Sequence, residues 1–401
     1  MMLHPRVLAV LLAGALAFGG MGPGAVRSAA AADIATPTAA EADQENSTAT
    51  PSDAPTAAPA APGAVSAPPS SSVILPILGY TPDTRLFFGA SYIRFFYLDQ
   101  PGPQLRASIF SPFVIYTFEN QILAFLGTEL YWDRGRNHAA VVPSFVKFPD
   151  QFYGIGRDAV ADDQEDYTPE ALGLELLLER QVWSQLRLGV AYRADRHRLT
   201  EVESDGRLAT GAIPGTTTGT LSAPGILATW DSRDSVWSAR RGAYVLAGVR
   251  FYAEAFGSDY SFTEYLFDGR AFLPLWSTHV LAVQGLITSL DGTVPFYNLA
   301  QLGGEGGLRG YRSNRYIDRA RAIGRLEYRW NDLWGGLSAA LFAGLGDVAP
   351  RFEALRLDVA KPSYGFGFRY LLEPQQQLKI RLDFGFGDGD SGFYLTLGEA
   401  F

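Results

Sequence analysis

Past residue 73 the chain alternates apolar and polar positions with a period of two, in segments of about ten residues. Leu186, Leu188, Val190 and Tyr192 interleave with Arg187, Gly189, Ala191 and Arg193. Val245, Ala247, Val249 and Phe251 run against Tyr244, Gly248, Arg250 and Tyr252. Leu326, Tyr328 and Trp330 interleave with Arg325, Glu327 and Arg329, and Ile380, Leu382 and Phe384 with Lys379, Arg381 and Asp383. Successive strand side chains point to opposite faces, so each segment predicts a strand with one apolar and one polar wall.

A soluble sandwich alternates too, and three further features favour a transmembrane antiparallel β-barrel. The polar faces carry both signs of charge together with glycine, as a wet or loop-filled lumen requires. The seven Trp (Trp132, Trp183, Trp230, Trp237, Trp276, Trp330, Trp334) fall at or just beyond predicted strand ends, where an apolar body with a polar handle suits a membrane interface. Short turns near Trp183, Trp276 and Pro374 alternate with longer connections near 149–170, 203–220, 291–320 and 349–361, the asymmetry of periplasmic turns and external loops. Fifteen segments are discernible, the first near 84–98 and the last at 392–401. A barrel with both ends in the periplasm needs an even number, which places a miscount of one between 73 and 170.

Upstream the texture differs. Val7 to Phe18 is an apolar stretch behind His4 and Arg6, followed by small residues up to Ala32, which predicts a secretory signal over 1–32. Residues 33–72 are rich in Ala, Pro, Ser and Thr without apolar periodicity, the composition of a disordered tether. The barrel domain is then 73–401. A net charge of −9 argues against a nucleic-acid partner. The chain has no cysteine and four dispersed histidines, so thiolate chemistry and a histidine metal site are not expected, nor is any cofactor.

The long connection after residue 291 contains Leu302-Gly303-Gly304-Glu305-Gly306-Gly307-Leu308-Arg309-Gly310-Tyr311-Arg312, then Ser313-Asn314-Arg315-Tyr316-Ile317-Asp318. It resembles the V/L-R-G-F/Y motif and R-Y-x-D continuation in the sixth external loop of the surface-antigen superfamily, whose members include BamA and TamA. Asp231-Ser232-Arg233-Asp234 with Arg241-Gly242, the start Pro76–Pro82 and the last ten residues also resemble that family. The likeness covers roughly 73–401, in a short form lacking the periplasmic POTRA domains. It implies about sixteen strands and an external loop folded inward, in which Gly307, Leu308, Arg309, Gly310 and Tyr311 form the motif. Glycine permits close backbone packing, and Arg309 can fork onto a carboxylate. Glu327 and Asp383 lie on polar faces of nearby strands and are the candidate partners of Arg309. The sequence departs from the family at Gly344, where many relatives carry aspartate. A terminal aromatic, Phe401, preceded by alternation through Tyr394 and Gly398, resembles the signal read by the barrel-assembly machinery, with Phe393, Leu395, Leu397 and Phe401 on one face.

By resemblance, the chain is expected in the outer membrane as a barrel assisting insertion or translocation of protein or lipid. Its seam would join 84–98 to 392–401, where an opened sheet edge offers unpaired backbone to an incoming strand. The implied partners are outer-membrane lipid and lipopolysaccharide, the assembly machinery during biogenesis, and outer-membrane protein clients. The alternative is a passive pore or structural surface barrel without a client. No enzyme is expected: Gly389-Asp390-Ser391-Gly392-Phe393 is not a nucleophile elbow, and the loop glycines match no phosphate-binding motif. The acidic run Asp162, Asp163, Glu165 and Asp166 reads as a solvated loop face.

Overall fold

The structure is a computed structural model that describes residues 71–99, 107–235, 238–373 and 378–401. The predicted signal and nearly all of the tether, with Trp237 and the turn after Pro374, lie outside the described residues. The strands are β1 (Ser71–Thr81), β2 (Arg85–Phe96), β3 (Ser108–Thr117), β4 (Ile122–Trp132), β5 (Asn137–Lys147), β6 (Asp150–Phe152), β7 (Glu165–Gln181), β8 (Leu186–Val202), β9 (Gly219–Asp231) and β10 (Gly242–Tyr252). They continue as β11 (Phe262–Pro274), β12 (His279–Gly292), β13 (Ala300–Gln301), β14 (Ile317–Asp318), β15 (Ala320–Trp334), β16 (Leu337–Ala349), β17 (Lys361–Glu373), β18 (Leu378–Phe386) and β19 (Ser391–Leu397). Each wall strand pairs antiparallel with its neighbours, and β19 returns to β1. Strand β6 extends the β5 position along β7, and β13 and β14 form a separate two-stranded ladder inside the long connection. Sixteen strands therefore build a closed wall.

The fifteen predicted segments missed β1, which occupies the end of the expected tether and the start of the barrel. Ile77 faces inward and is buried, while Ile74 and Leu78 are exposed on the outside. With apolar residues on both faces, β1 shows no alternation. The cause extends further: Ile77, Phe87, Phe113, Ile115, Leu123 and Phe125 belong to one buried cluster on the inner side of β1 to β5. The lumen is thus apolar along this sector, and again around Tyr167, Leu221, Phe262 and Leu290, instead of wet and charged throughout.

By the turn and loop asymmetry, the end bearing the long connections is extracellular. The six described Trp all sit at the opposite, periplasmic end. Trp183, Trp276 and Trp334 are in or beside its turns and strongly exposed. One periplasmic connection, after β9, is long and self-braced: Arg233 forks onto Asp231 at 3.0 and 2.9 Å. Gly242 there has φ +99°, and a Cβ on it would lie 2.2 Å from the Ser232 carbonyl oxygen.

Candidate functional site in the barrel lumen

The connection from β12 to β15 turns into the barrel. Its base is the β13–β14 ladder, and above it the Leu308 N–H donates to Leu302 O at 2.8 Å while Gly304 N–H donates to Tyr311 O at 2.9 Å. This tight fold depends on glycine: a Cβ on Gly307 would stand 2.2 Å from Leu302 O. Leu308 and Tyr311 are buried with Leu286, Leu302, Ile323 and Val348. Gly344 faces this cluster, and a Cβ there would lie 2.8 Å from Leu308 Cδ2. Glycine at this position, where the resemblance led to an expected aspartate, admits the leucine.

Arg309 donates to Glu327 at 2.6 Å and to Asp383, and its guanidinium lies 3.5 Å from the Phe342 ring centre. The side chains of Glu327 and Asp383 have no exposure and that of Arg309 2 %. The structure therefore brings Arg309 together with both candidate partners. It also adds residues that the sequence reading did not assign to the site. Arg329 and Arg369 donate to Glu327 at 2.9 and 3.1 Å. Arg369 also reaches Asp383 at 2.6 Å and Glu399 at 3.1 Å. Lys379 pairs with Glu399 at 3.1 Å, and Arg381 pairs with Glu305. Five cations thus face four carboxylates in an enclosed space. The polar faces of β15, β17 and β18 mark all but Glu305 and Glu399. What alternation cannot tell is which strands meet across a lumen.

The loop also touches both sides of the seam. Gly310 N–H donates to the Tyr394 hydroxyl of β19 at 2.9 Å. Further along, Ser313 donates through its N–H and hydroxyl to Asp83 at 3.1 and 2.7 Å, in the turn after β1. Asn314 Nδ2 donates to Asp150 at 3.0 Å, and Arg312 reaches Gln151 at 3.0 Å. Tyr311 donates to Pro362 O and accepts from Asp388 N–H, both at 2.7 Å.

Two anchoring carboxylates lie at the extracellular rim. Burial raises the Asp83 carboxyl, and Asp150 is pushed up to about 8 by burial and by the charge of Asp83, with Arg312 and the Asn314 amide opposing. A raised acid stabilises the folded form most below its unfolded value, and that contribution is lost as pH rises through the folded value. The barrel is therefore expected to lose stability between about pH 4 and about pH 8, and to change little above that. Asp150→Asn, which keeps an acceptor for Asn314, should flatten the profile. Thermal conversion of the compact gel band at the two pH values reads this, and equal slopes for both proteins would refute it.

The C-terminus departs from expectation. Tyr394 is buried inward and Phe393 faces outward, as the alternation predicts. Gly398, however, has φ +80°, ends the strand and turns the tail into the lumen. Phe401 does not share the face of Phe393: it is buried against Phe272, Val280 and Ala282. Its main-chain oxygen accepts from Arg329 at 2.9 Å, and the Arg325 guanidinium lies 4.9 Å from its ring. An aromatic in such a packed pocket contributes about 3 kcal/mol. Phe401→Ala is accordingly expected to weaken the barrel even when refolded into vesicles without machinery. If yield falls only in cells while refolded stability holds, the residue acts as a signal alone.

Glu165, read within an acidic run, instead accepts from Arg207 at 2.5 Å, leaving Asp162 and Asp163 exposed.

A closed sixteen-strand barrel with an arginine-bearing loop held inside it defines a class of outer-membrane protein. The chain matches the Omp85 superfamily domain over residues 107–401 and belongs to that superfamily. Among solved structures it is similar to BamA from Haemophilus ducreyi lacking POTRA domains 1–3, at 13% identity and TM-score 0.60, covering 82% of this chain and 70% of that one. CdiB from Acinetobacter baumannii is similar at 10% identity and TM-score 0.53, covering 82% of this chain and 59% of that one. CdiB from Escherichia coli is similar at 8% identity and TM-score 0.53, over 81% and 62%. No curated protein sequence matches the chain. The protein is an outer-membrane barrel.

Proposed function

We propose that this barrel assists the insertion or translocation of protein or lipid at the outer membrane by opening the seam between β1 and β19. The observation that carries the reading is the poverty of that seam. β1 pairs with β2 at eleven positions and β18 with β19 at seven, whereas β1 and β19 pair at Tyr80↔Leu395 only. In that register, residues beyond Gly398 would have to continue the strand opposite the lower half of β1, but there the tail turns inward. On the edge of β1 away from β2, the backbone along Ser71–Ile77 is therefore registered with no strand among the described residues. Unsatisfied backbone is expensive in hydrocarbon, and a free edge is a template for an incoming strand. The predicted seam at 84–98 gives way to β1.

What holds the seam lies around it. Tyr80 stacks on Phe393 with ring centres 4.0 Å apart, and the inward loop ties Tyr394 on one side to Asp83 on the other. Loop and seam thus form one latch, and a loop occupying the lumen does not favour a wide passive pore. Partners supplying or receiving clients, including the assembly machinery, belong to the same reading.

The chain has no native cysteine, so Tyr80→Cys with Leu395→Cys gives a clean crosslink at the one registered pair. The oxidised form is expected to lose its effect on the outer-membrane protein and lipid inventory, and reduction should restore it. A locked seam that sustains a normal inventory, in cells that need the protein for it, would sink the gating reading. An inventory indifferent to depletion would favour a barrel without a client.

A further inference from the structure

Outward positions of the wall are mostly apolar, and toward the extracellular end one patch breaks the rule. At the extracellular end of β5, β7 and β8, Lys147, Glu170 and Arg198 stand side by side in one cross-strand row. In the next row toward the membrane, Arg196 follows on β8 beside Leu172. Glu170 is shared by Arg198, at 2.8 Å, and Lys147, at 3.6 Å. The Arg198 side chain remains 63 % exposed. Arg196 is exposed and no described residue pairs with it. Three cations against one carboxylate leave two net positive charges facing outward. Among the described residues, the outward positions of β10, β11, β17 and β18 carry no cation at all.

The height of the patch identifies its surroundings. Leu186 on β8 pairs with Trp230 in the periplasmic tryptophan belt. Arg196 lies ten residues further along β8. At about 3.3 Å per residue and a tilt of about 40°, that is about 25 Å above the belt, which matches the apolar band of such barrels. The outward residues between them include Leu188 and Val190, both exposed to lipid. Arg196 thus sits where hydrocarbon gives way to headgroups, a depth at which a cation costs little and its fork can reach headgroup phosphate. Above it, Asp162, Asp163, Glu201, Glu203 and Asp205 are exposed on the rim, and their charge disfavours an acidic soluble partner arriving from outside.

We propose that Arg196, Arg198 and Lys147 bind the phosphate groups of a phosphorylated glycolipid in the outer leaflet. The guanidinium fork fits phosphate oxygens bidentately, while Lys147 adds a point charge. Arg196 supplies the free fork, and Arg198 can share its charge between Glu170 and the lipid. The site rests on the outer-membrane placement of the barrel and not on seam opening, so either can fail alone.

The test titrates purified full-length protein in neutral detergent with diphosphorylated lipid A, dephosphorylated lipid A or phosphatidylglycerol, and counts bound lipid by native mass spectrometry. Basic residues near a membrane surface each add roughly fivefold in affinity, so the phosphorylated form should bind about twenty- to thirtyfold more tightly than the dephosphorylated one. Arg196→Gln with Arg198→Gln should erase that preference, and Arg180→Gln, exposed at the periplasmic end of β7, should leave it intact. Should the double variant fail to fold, Arg196→Gln alone, which breaks no ion pair, is expected to lose about fivefold. Equal binding of the two lipid A forms, or an unchanged preference in the arginine variants, overturns the site. Phosphatidylglycerol binding as tightly as lipid A overturns the assignment to a glycolipid.

Discussion

Glu327→Ala is expected to destabilise the barrel by about 5 kcal/mol, and Arg309→Ala by about 3 kcal/mol, the two ends of the range for breaking a buried ion pair. The asymmetry follows from who remains. Without Arg309, Asp383 keeps Arg369 at 2.6 Å and Arg381 at 3.4 Å, and Glu327 keeps Arg329 and Arg369. Without Glu327, three guanidiniums lose a common acceptor. Arg309 and Arg369 fall back on Asp383, Arg369 also on Glu399 at 3.1 Å, and Arg329 on the Phe401 oxygen at 2.9 Å and on Glu399 at 3.7 Å. Urea unfolding from lipid vesicles measures both variants. The double variant should lie well below the sum of the singles, since removing the second partner relieves an unpaired charge. If Glu327→Ala proves milder than Arg309→Ala, or both fall within 1 kcal/mol of wild type, the cluster is screened by water and the loop is held by its apolar residues.

Gly310→Ala should be at least as damaging as Arg309→Ala, for a steric reason. Gly310 has φ +113°, and a Cβ there would stand 2.7 Å from the Phe386 carbonyl carbon and 2.9 Å from two backbone nitrogens. Those atoms are at the end of β18, held by ladders to β17 and β19, so the loop must yield instead of the wall. Displacing Gly310 carries Arg309 away from its carboxylates, and a cost of about 3 kcal/mol or more follows from the lost pair. The two substitutions should therefore not add. A single Ser313→Cys reporter checks the geometry in this cysteine-free chain, because Ser313 is 2 % exposed when the loop is seated. It should react with a maleimide far faster in the Gly310→Ala background. A reporter that stays protected there means the loop keeps its seat without the close approach.

Several features are legible in the chain itself. Lipid-facing residues such as Leu326 and Ile380 could be sorted from inward ones such as Glu327 and Asp383, because each strand reports its own two faces. The glycines around Arg309 marked a loop that must pack closely. Phe401 was harder. Its place in the alternation put it outside, but one left-handed residue, Gly398, reverses that placement, and nothing in an Gly-Glu-Ala-Phe tail distinguishes a continuing strand from a turn. β1 was hidden for the opposite reason: its inner neighbours are Phe87, Ile115 and Phe125, so selection for a polar inner face is absent there.

The sequence by itself determined the antiparallel strands, their outward grease, the tryptophan belt and the presence of a special loop, since a period of two and a glycine-rich motif are local properties of the chain. Only the tertiary structure decided that β1 closes the wall on β19 by one pair, that Arg329, Arg369 and Glu399 join Arg309 around Glu327 and Asp383, and that Lys147, Arg196 and Arg198 share one outward patch. Those relations depend on strand register and on which residues reach the same height in the barrel. Both are set by closure of the whole sheet, so no single segment of the chain encodes them.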